Sequence, residues 1–199
     1  GNKVLYTTNE MGQIKLFLYD GLTNKTKRIF KADHKIDRTA DHSYPVLAWH
    51  PSGNLFSYLI ERKGYLVMNT YELQTKTKTK RNIIGFEKIL DFSYNSTGKY
   101  IVMSAVQKGQ TDLFIFTMAS NAYEQITKDI YDDLTPRYVH EDKQIVFASN
   151  RPTDSLSFNP KKKGEDPQKF KDLFAFDNVN KSPSLIRVTN TANLDESYP

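Results

Sequence analysis

The chain contains no cysteine. Disulfide frameworks, thiolate metal centres and cysteine nucleophiles are therefore excluded, although the absence assigns no compartment. There is a single tryptophan, with only 9 glycines and 8 prolines among 199 residues, too few for a collagen-like or low-complexity chain. Mean hydropathy is −0.61, and no apolar run approaches the ~20 residues of a membrane-crossing helix, so no transmembrane segment is expected. A secretory leader pattern is also missing from the opening residues. The usual catalytic signatures are absent: no G-x-S-x-G elbow, no P-loop, no G-x-G-x-x-G and no H-E-x-x-H. The 4 histidines, His34, His42, His50 and His140, lack the convergent spacing of a zinc site. No metal, no cofactor and no catalytic residue is expected, and the chain reads as a non-enzyme.

Aromatic residues are plentiful. Twelve tyrosines and 12 phenylalanines can fill a core, which excludes outright disorder. Net charge is +5, from 28 Lys+Arg against 23 Asp+Glu. The densest basic cluster, Lys161, Lys162 and Lys163, is followed by Glu165, Asp166 and Asp172 and reads as a solvated loop. Lys76, Lys78, Lys80 and Arg81 alternate with threonine, as on the solvent face of an outer strand. Neither stretch interleaves basic residues with exposed aromatics along a groove, so no nucleic acid is expected as a partner.

Two signatures recur along the chain. Asn2-Lys3-Val4-Leu5-Tyr6 returns as Asn54-Leu55-Phe56-Ser57-Tyr58, Lys99-Tyr100-Ile101-Val102-Met103 and Lys143-Gln144-Ile145-Val146-Phe147, in steps of 52, 45 and 44 residues. Leu16-Phe17-Leu18-Tyr19-Asp20 returns at Tyr65, Leu113 and Leu173, in steps of 49, 48 and 60. Acidic-polar-Pro turns punctuate the repeats at Asp41–Pro45, Asp132–Pro136 and Asp195–Pro199, while Gly85-Phe86-Glu87 stands in that place after the second repeat. Gly53 and Gly98 supply the positive-φ position of a tight hairpin turn. Asp142 takes that slot in the last repeat, since aspartate tolerates the left-handed region.

Such a period, with three to four short strands per unit and no long 3.6-residue periodicity, predicts an all-β fold: a β-propeller of four-stranded antiparallel blades, about four in this chain. The expected blades are residues 1–45, 46–89, 90–136 and 137–199 of a single domain, with a loop insertion over 152–170. Because the chain starts before a second strand and ends before a first one, it reads as part of a larger propeller, whose open blade edges invite self-association.

The run from Pro136 to Arg151, Pro-Arg-Tyr-Val-His-Glu-Asp-Lys-Gln-Ile-Val-Phe-Ala-Ser-Asn-Arg, resembles the TolB-like (WD-type) propeller repeat. That repeat reads Pro-x-aromatic-Ser-Pro-Asp-Gly-Lys-x-Ile-x-Phe-x-Ser, often followed by Asn-Arg. Asp112-Leu113-Phe114 with Ile126-Thr127, Asp172-Leu173-Phe174 with Val188-Thr189, and Trp49-His50-Pro51-Ser52-Gly53 fit the remainder. The resemblance covers nearly the whole chain and departs at His140 and Asp142. It marks Pro45, Trp49, Gly53, Gly98, Asp112, Pro136, Arg151 and Asp172 as structural positions, and it implies a buried Arg151–Asp172 pair within one blade. It also implies a non-catalytic scaffold for a protein or peptide partner in the bacterial periplasm or cell envelope, or alternatively the substrate-gating propeller of a prolyl-oligopeptidase- or tricorn-like serine peptidase. The expected partner surface is one end of the propeller, built from Asp132, Asp133, Asp195 and Glu196 together with Leu156 and Phe158 of the insertion. Leu156 and Phe158 would be unusual in a solvated loop, and they are expected to pack on the propeller or to meet the partner.

Overall fold

The computed structural model describes residues 2–32, 44–156, 164, 166–182, 184–191 and 193–199. These form four antiparallel sheets. The first holds β1 (Lys3–Glu10), β2 (Gln13–Asp20) and β3 (Lys25–Lys31). The second holds β4 (Val46–Trp49), β5 (Leu55–Arg62), β6 (Tyr65–Glu72) and β7 (Lys78–Ile83). The third holds β8 (Lys88–Tyr94), β9 (Tyr100–Gln107), β10 (Gln110–Thr117) and β11 (Tyr123–Gln125). The fourth holds β12 (Asp133–Val139), β13 (Gln144–Ser149), β14 (Asp172–Asp177) and β15 (Leu185–Arg187). Within every sheet the strands follow chain order. The first strands of consecutive sheets touch, β4 beside β8 and β8 beside β12, like spokes meeting at a hub. The sheets are the blades of a β-propeller, with β3, β7, β11 and β15 on the outer rim. Among the described residues nothing pairs with the free, hub-side edge of β1, and the first blade has three strands.

The core lies between blades, not inside them. Leu16 and Leu18 of the first blade meet Phe56, Tyr58 and Tyr71 of the second. Met68 and Ile83 of the second meet Phe92, Met103 and Phe114 of the third. Leu113 and Ile115 of the third meet Ile145, Phe147 and Phe174 of the fourth. This is why Leu113-Phe114-Ile115-Phe116 is continuously apolar: alternate side chains are buried against different neighbours. After the second blade, where no acidic-Pro turn stands, Phe86 packs 4.8 Å from Phe114 and 4.7 Å from Tyr123, ring to ring.

Two of the expected blade boundaries, 89/90 and 136/137, fall inside strands β8 and β12. Each of these strands carries a bulge at that point, between Ile89 and Asp91 and between Leu134 and Arg137. Pro136 punctuates the sequence, but in the fold it sits at the β12 bulge, one of the few places a sheet accepts proline. Trp49 closes β4 with its ring 5.5 Å from that of Phe56. Pro45 follows Tyr44 through a cis peptide bond.

The hairpin turns match the sequence. Gly53 and Gly98 have φ of 69° and 70°. Around Gly53 the space is open, whereas a Cβ on Gly98 would lie 1.8 Å from His50 Nε2. Asp142 takes the corresponding position with φ 67°. Its carboxylate accepts the Ser96 N–H at 2.9 Å and the Asn95 side-chain amide at 3.1 Å. The aspartate thus ties the fourth blade to the third.

Candidate functional site

The connection leading into the fourth blade brings three carboxylates and one guanidinium into the interior. Asp112 starts the apolar part of β10, Asp129 and Tyr131 lie in the connection after β11, and Asp133 opens β12. One oxygen from each carboxylate lies within 4.8 Å of the others, and all three residues are buried. Arg151, just past β13, is fully buried among them. Its Nη2 donates to both oxygens of Asp133 at 2.8 and 2.9 Å. Its Nη1 lies 3.3 Å from Asp129 Oδ2, an ionic contact without hydrogen-bond geometry. Nε donates to Ser149 Oγ at 3.0 Å and Nη1 to the Ser155 carbonyl at 3.1 Å. The guanidinium also lies over the rings of Tyr131, Phe147 and Phe174, at 5.2, 5.7 and 5.9 Å.

Three acids against one base leave the cluster short of positive charge. Burial, reinforced by the neighbouring Asp133 and Asp129, pushes the Asp112 carboxyl up to about 6, against hydrogen bonds from the Asp129 N–H and Gln125. Burial likewise raises Asp129 to about 6 although Arg151 opposes it. Burial alone would lower Arg151, but Asp133 and Asp129 outweigh it and hold the guanidinium charged. Three carboxylates at this spacing would suit a divalent cation, but Arg151 already supplies the positive charge between Asp129 and Asp133. The constellation is an internal electrostatic lock.

These shifts carry a sign. Asp112 and Asp129 hold their protons more tightly in the fold, at about 6, than at the ordinary value of 3.8. The native state therefore binds more protons between these values, and stability falls as pH rises from about 4 through about 6. Urea denaturation across this range is expected to show a loss of roughly 1–3 kcal/mol. In Asp112→Asn the loss is expected to shrink. Equal slopes in the parent and the variant would show that Asp112 does not titrate in this range.

The expected acidic surface is only partly formed. Asp132 is exposed, and its N–H donates to Asn150 Oδ1 at 2.8 Å. Asp195 is exposed and accepts the Lys171 N–H at 3.0 Å, a bond that lowers its carboxyl below the ordinary range. Asp133 is withdrawn from any partner surface, being fully buried on Arg151. Glu196 accepts the Thr191 hydroxyl at 2.8 Å through Oε1, and its Oε2 is buried without a hydrogen-bond partner. The implied Arg151–Asp172 pair is not formed. Asp172 is bonded to Arg187 and accepts the Thr191 N–H at 3.1 Å. The reason is positional: the Arg151 guanidinium is taken by Asp133 on β12 and Asp129 in the connection before it, and Asp172 by Arg187 on β15. Sequence reading missed Asp129 and Tyr131 altogether. Their only signal was an acid followed by Ile130 and Tyr131 in a connection.

The insertion leans on its own blade. Leu156 packs against the cluster between the third and fourth blades, as expected. Ser155 bridges to Ser184, and the Leu185 N–H donates to the Asp154 carbonyl at 2.7 Å. Phe158 lies outside the described residues, as do His34 and His42. The far end of the insertion helps to form a cleft of about 510 Å³, lined by Gln168, Lys169, Phe170, Asp172, Arg187, Asn190, Thr191 and Asn193. Lys169 Nζ lies 5.1 Å from the centre of the Phe170 ring.

Fold and cleft together define a propeller segment with a polar, aromatic-floored opening at one end. No family model matches the chain, and no curated protein matches it. Solved structures do. TolB from Acinetobacter baumannii superposes with a TM-score of 0.67 at 16% identity, over 98% of this chain and 42% of that one. The tricorn protease gives a TM-score of 0.57 at 17% identity, over 99% of this chain and 20% of that one. The β-propeller domain of the trilobed protease from Pyrococcus furiosus gives 0.55 at 12% identity, over 96% and 55%. At such identities the likeness is one of fold. The chain spans less than two thirds of the length of these structures and corresponds to part of a propeller.

Proposed function

We propose that the protein is a non-catalytic TolB-like propeller that binds an extended peptide or protein segment in the bacterial cell envelope. The observation that carries this reading is the cleft at the end of the fourth blade. Gln168, Asn190 and Asn193 line it together with Phe170. Amides offer both a donor and an acceptor and match a peptide backbone, and a half-buried aromatic ring supplies an anchor. Asp132 and Asp195 are exposed but are not among the residues that line this cleft. A randomised peptide library displayed against the protein is expected to yield ligands whose affinity falls about tenfold in Phe170→Ala or Asn190→Ala. Ligands that bind these variants as well as the parent would overturn the assignment to this cleft.

A second reading is favoured by the likeness to the tricorn and trilobed protease propellers: a substrate-gating propeller of a serine peptidase. The two readings separate on the gene. A hydrolase domain with a G-x-S-x-G elbow encoded after Pro199 supports the gate, and further blades or an envelope-anchoring module support the scaffold.

A further inference from the structure

The grooves between outer strands differ in how their cations are matched. Between the second and third blades, Arg81 donates to the Met118 carbonyl and, at 2.8 Å, to Asn121 Oδ1. Between the third and fourth, Lys181 lies 3.3 Å from Glu124. Between the first and second, lysines face lysines. On β3, Lys27 stands opposite Leu18 and Lys25 opposite Asp20, so both share the face on which Leu18 packs toward the second blade. On β7, Lys78 stands opposite Tyr71 and Lys80 opposite Asn69, sharing the face on which Tyr71 packs toward the first blade. All four lysines are exposed, and none forms an ion pair with a carboxylate of a described residue.

The floor of this groove is aromatic. Lys27 Nζ donates to Tyr71 Oη at 2.6 Å and lies 5.1 Å from that ring's centre. Lys78 Nζ lies 5.1 Å from the centre of the Tyr58 ring. Tyr58 is fully buried, and its hydroxyl has no hydrogen-bond partner. Burial together with the neighbouring Lys80 lowers the Lys78 ammonium below its ordinary value. Like charges held at one groove over tyrosine rings repel each other unless an anion lies between them. A buried hydroxyl left without a partner is itself unfavourable.

We propose that the groove between β3 and β7 is a binding site for a phosphate- or sulfate-type oxyanion, held by Lys27, Lys78 and Lys80 with Lys25 at its edge. A tetrahedral dianion accepts several charge-assisted hydrogen bonds at once, which suits ammonium groups carried on the facing sides of two blades. The site is on the rim, away from the cleft of the fourth blade, and does not depend on the peptide-binding reading.

Calorimetry with inorganic pyrophosphate at constant ionic strength is the direct test. Saturable binding is expected, together with a rise in Tm that sodium chloride of equal ionic strength does not reproduce. Lys78→Gln/Lys80→Gln should weaken binding by about tenfold or more. Lys99→Gln/Lys108→Gln, which removes the same charge from other blade turns, should leave it unchanged. Circular dichroism establishes that both variants fold. Sedimentation with phosphatidylglycerol vesicles and with phosphatidylcholine vesicles identifies the source of the anion. Retention on the former alone, lost in the Lys78/Lys80 variant, assigns a lipid headgroup. Pyrophosphate binding without retention assigns a soluble phosphate ester. A parent protein that responds to pyrophosphate no more than to chloride, or a Lys78/Lys80 variant that binds as tightly as the parent, overturns the site.

Discussion

Arg151→Met is expected to destabilise the protein by about 3–5 kcal/mol, because it removes the one cation from a buried group of three acids. Methionine keeps most of the volume, so the cavity contribution is small and the loss is electrostatic. Asp133 would keep a buried negative charge without its two hydrogen bonds, and Asp129 would lose its ionic contact. The acids respond by holding protons, so the variant should be least impaired at low pH and worse toward neutrality. Adding Asp133→Leu should recover part of the loss, since an apolar pair tolerates burial where a lone carboxylate does not. Chemical denaturation of the parent, both single variants and the double variant closes the cycle. A loss under about 1 kcal/mol in Arg151→Met would mean that solvent reaches the cluster and that the lock is not closed.

Phe114→Ala should cost a similar amount, about 3–5 kcal/mol, for a different reason. Phe114 is fully buried in the layer between the second and third blades. Its ring meets those of Phe86 and Tyr123, at 4.8 and 5.9 Å. Both β10 and the segment before β8 are fixed by backbone pairing, so the vacated space cannot close. Phe114→Leu should cost less, about 1.5 kcal/mol, because the volume is better conserved. Tyr65→Ala, on a ring 66% exposed, should fall within about 0.5 kcal/mol of the parent. Thermal or urea unfolding of the three variants tests this ordering. Equal losses for Phe114→Ala and Tyr65→Ala would show that inter-blade packing does not carry the stability.

Much of the architecture was legible residue by residue. The recurrent Ile/Val/Phe segments are the second strands of the blades, and the Leu-Phe segments are the third. Gly53, Gly98 and Asp142 form the turns between first and second strands with the positive φ their chemistry permits. Lys78 and Lys80 do lie on an outer strand. Pro136 misled, because a proline in a bulge and a proline ending a turn look alike in sequence, and only cross-strand register tells them apart.

The candidate sites were less legible. Asp133 belongs to a visible acidic-Pro motif but points inward, whereas Asp132 beside it points out. One residue along a strand changes the face, and the β12 bulge shifts which residue that is.

The sequence alone determined the number of sheets and the turns within them, because side-chain alternation and turn conformations are set by near neighbours along the chain. Tertiary structure decided which acids Arg151 holds, that Asp172 goes to Arg187, and that lysines from β3 and β7 share one groove. Those pairings join separate strands or separate blades, and charges distant in sequence acquire partners only when packing sets their distance and removes the water between them.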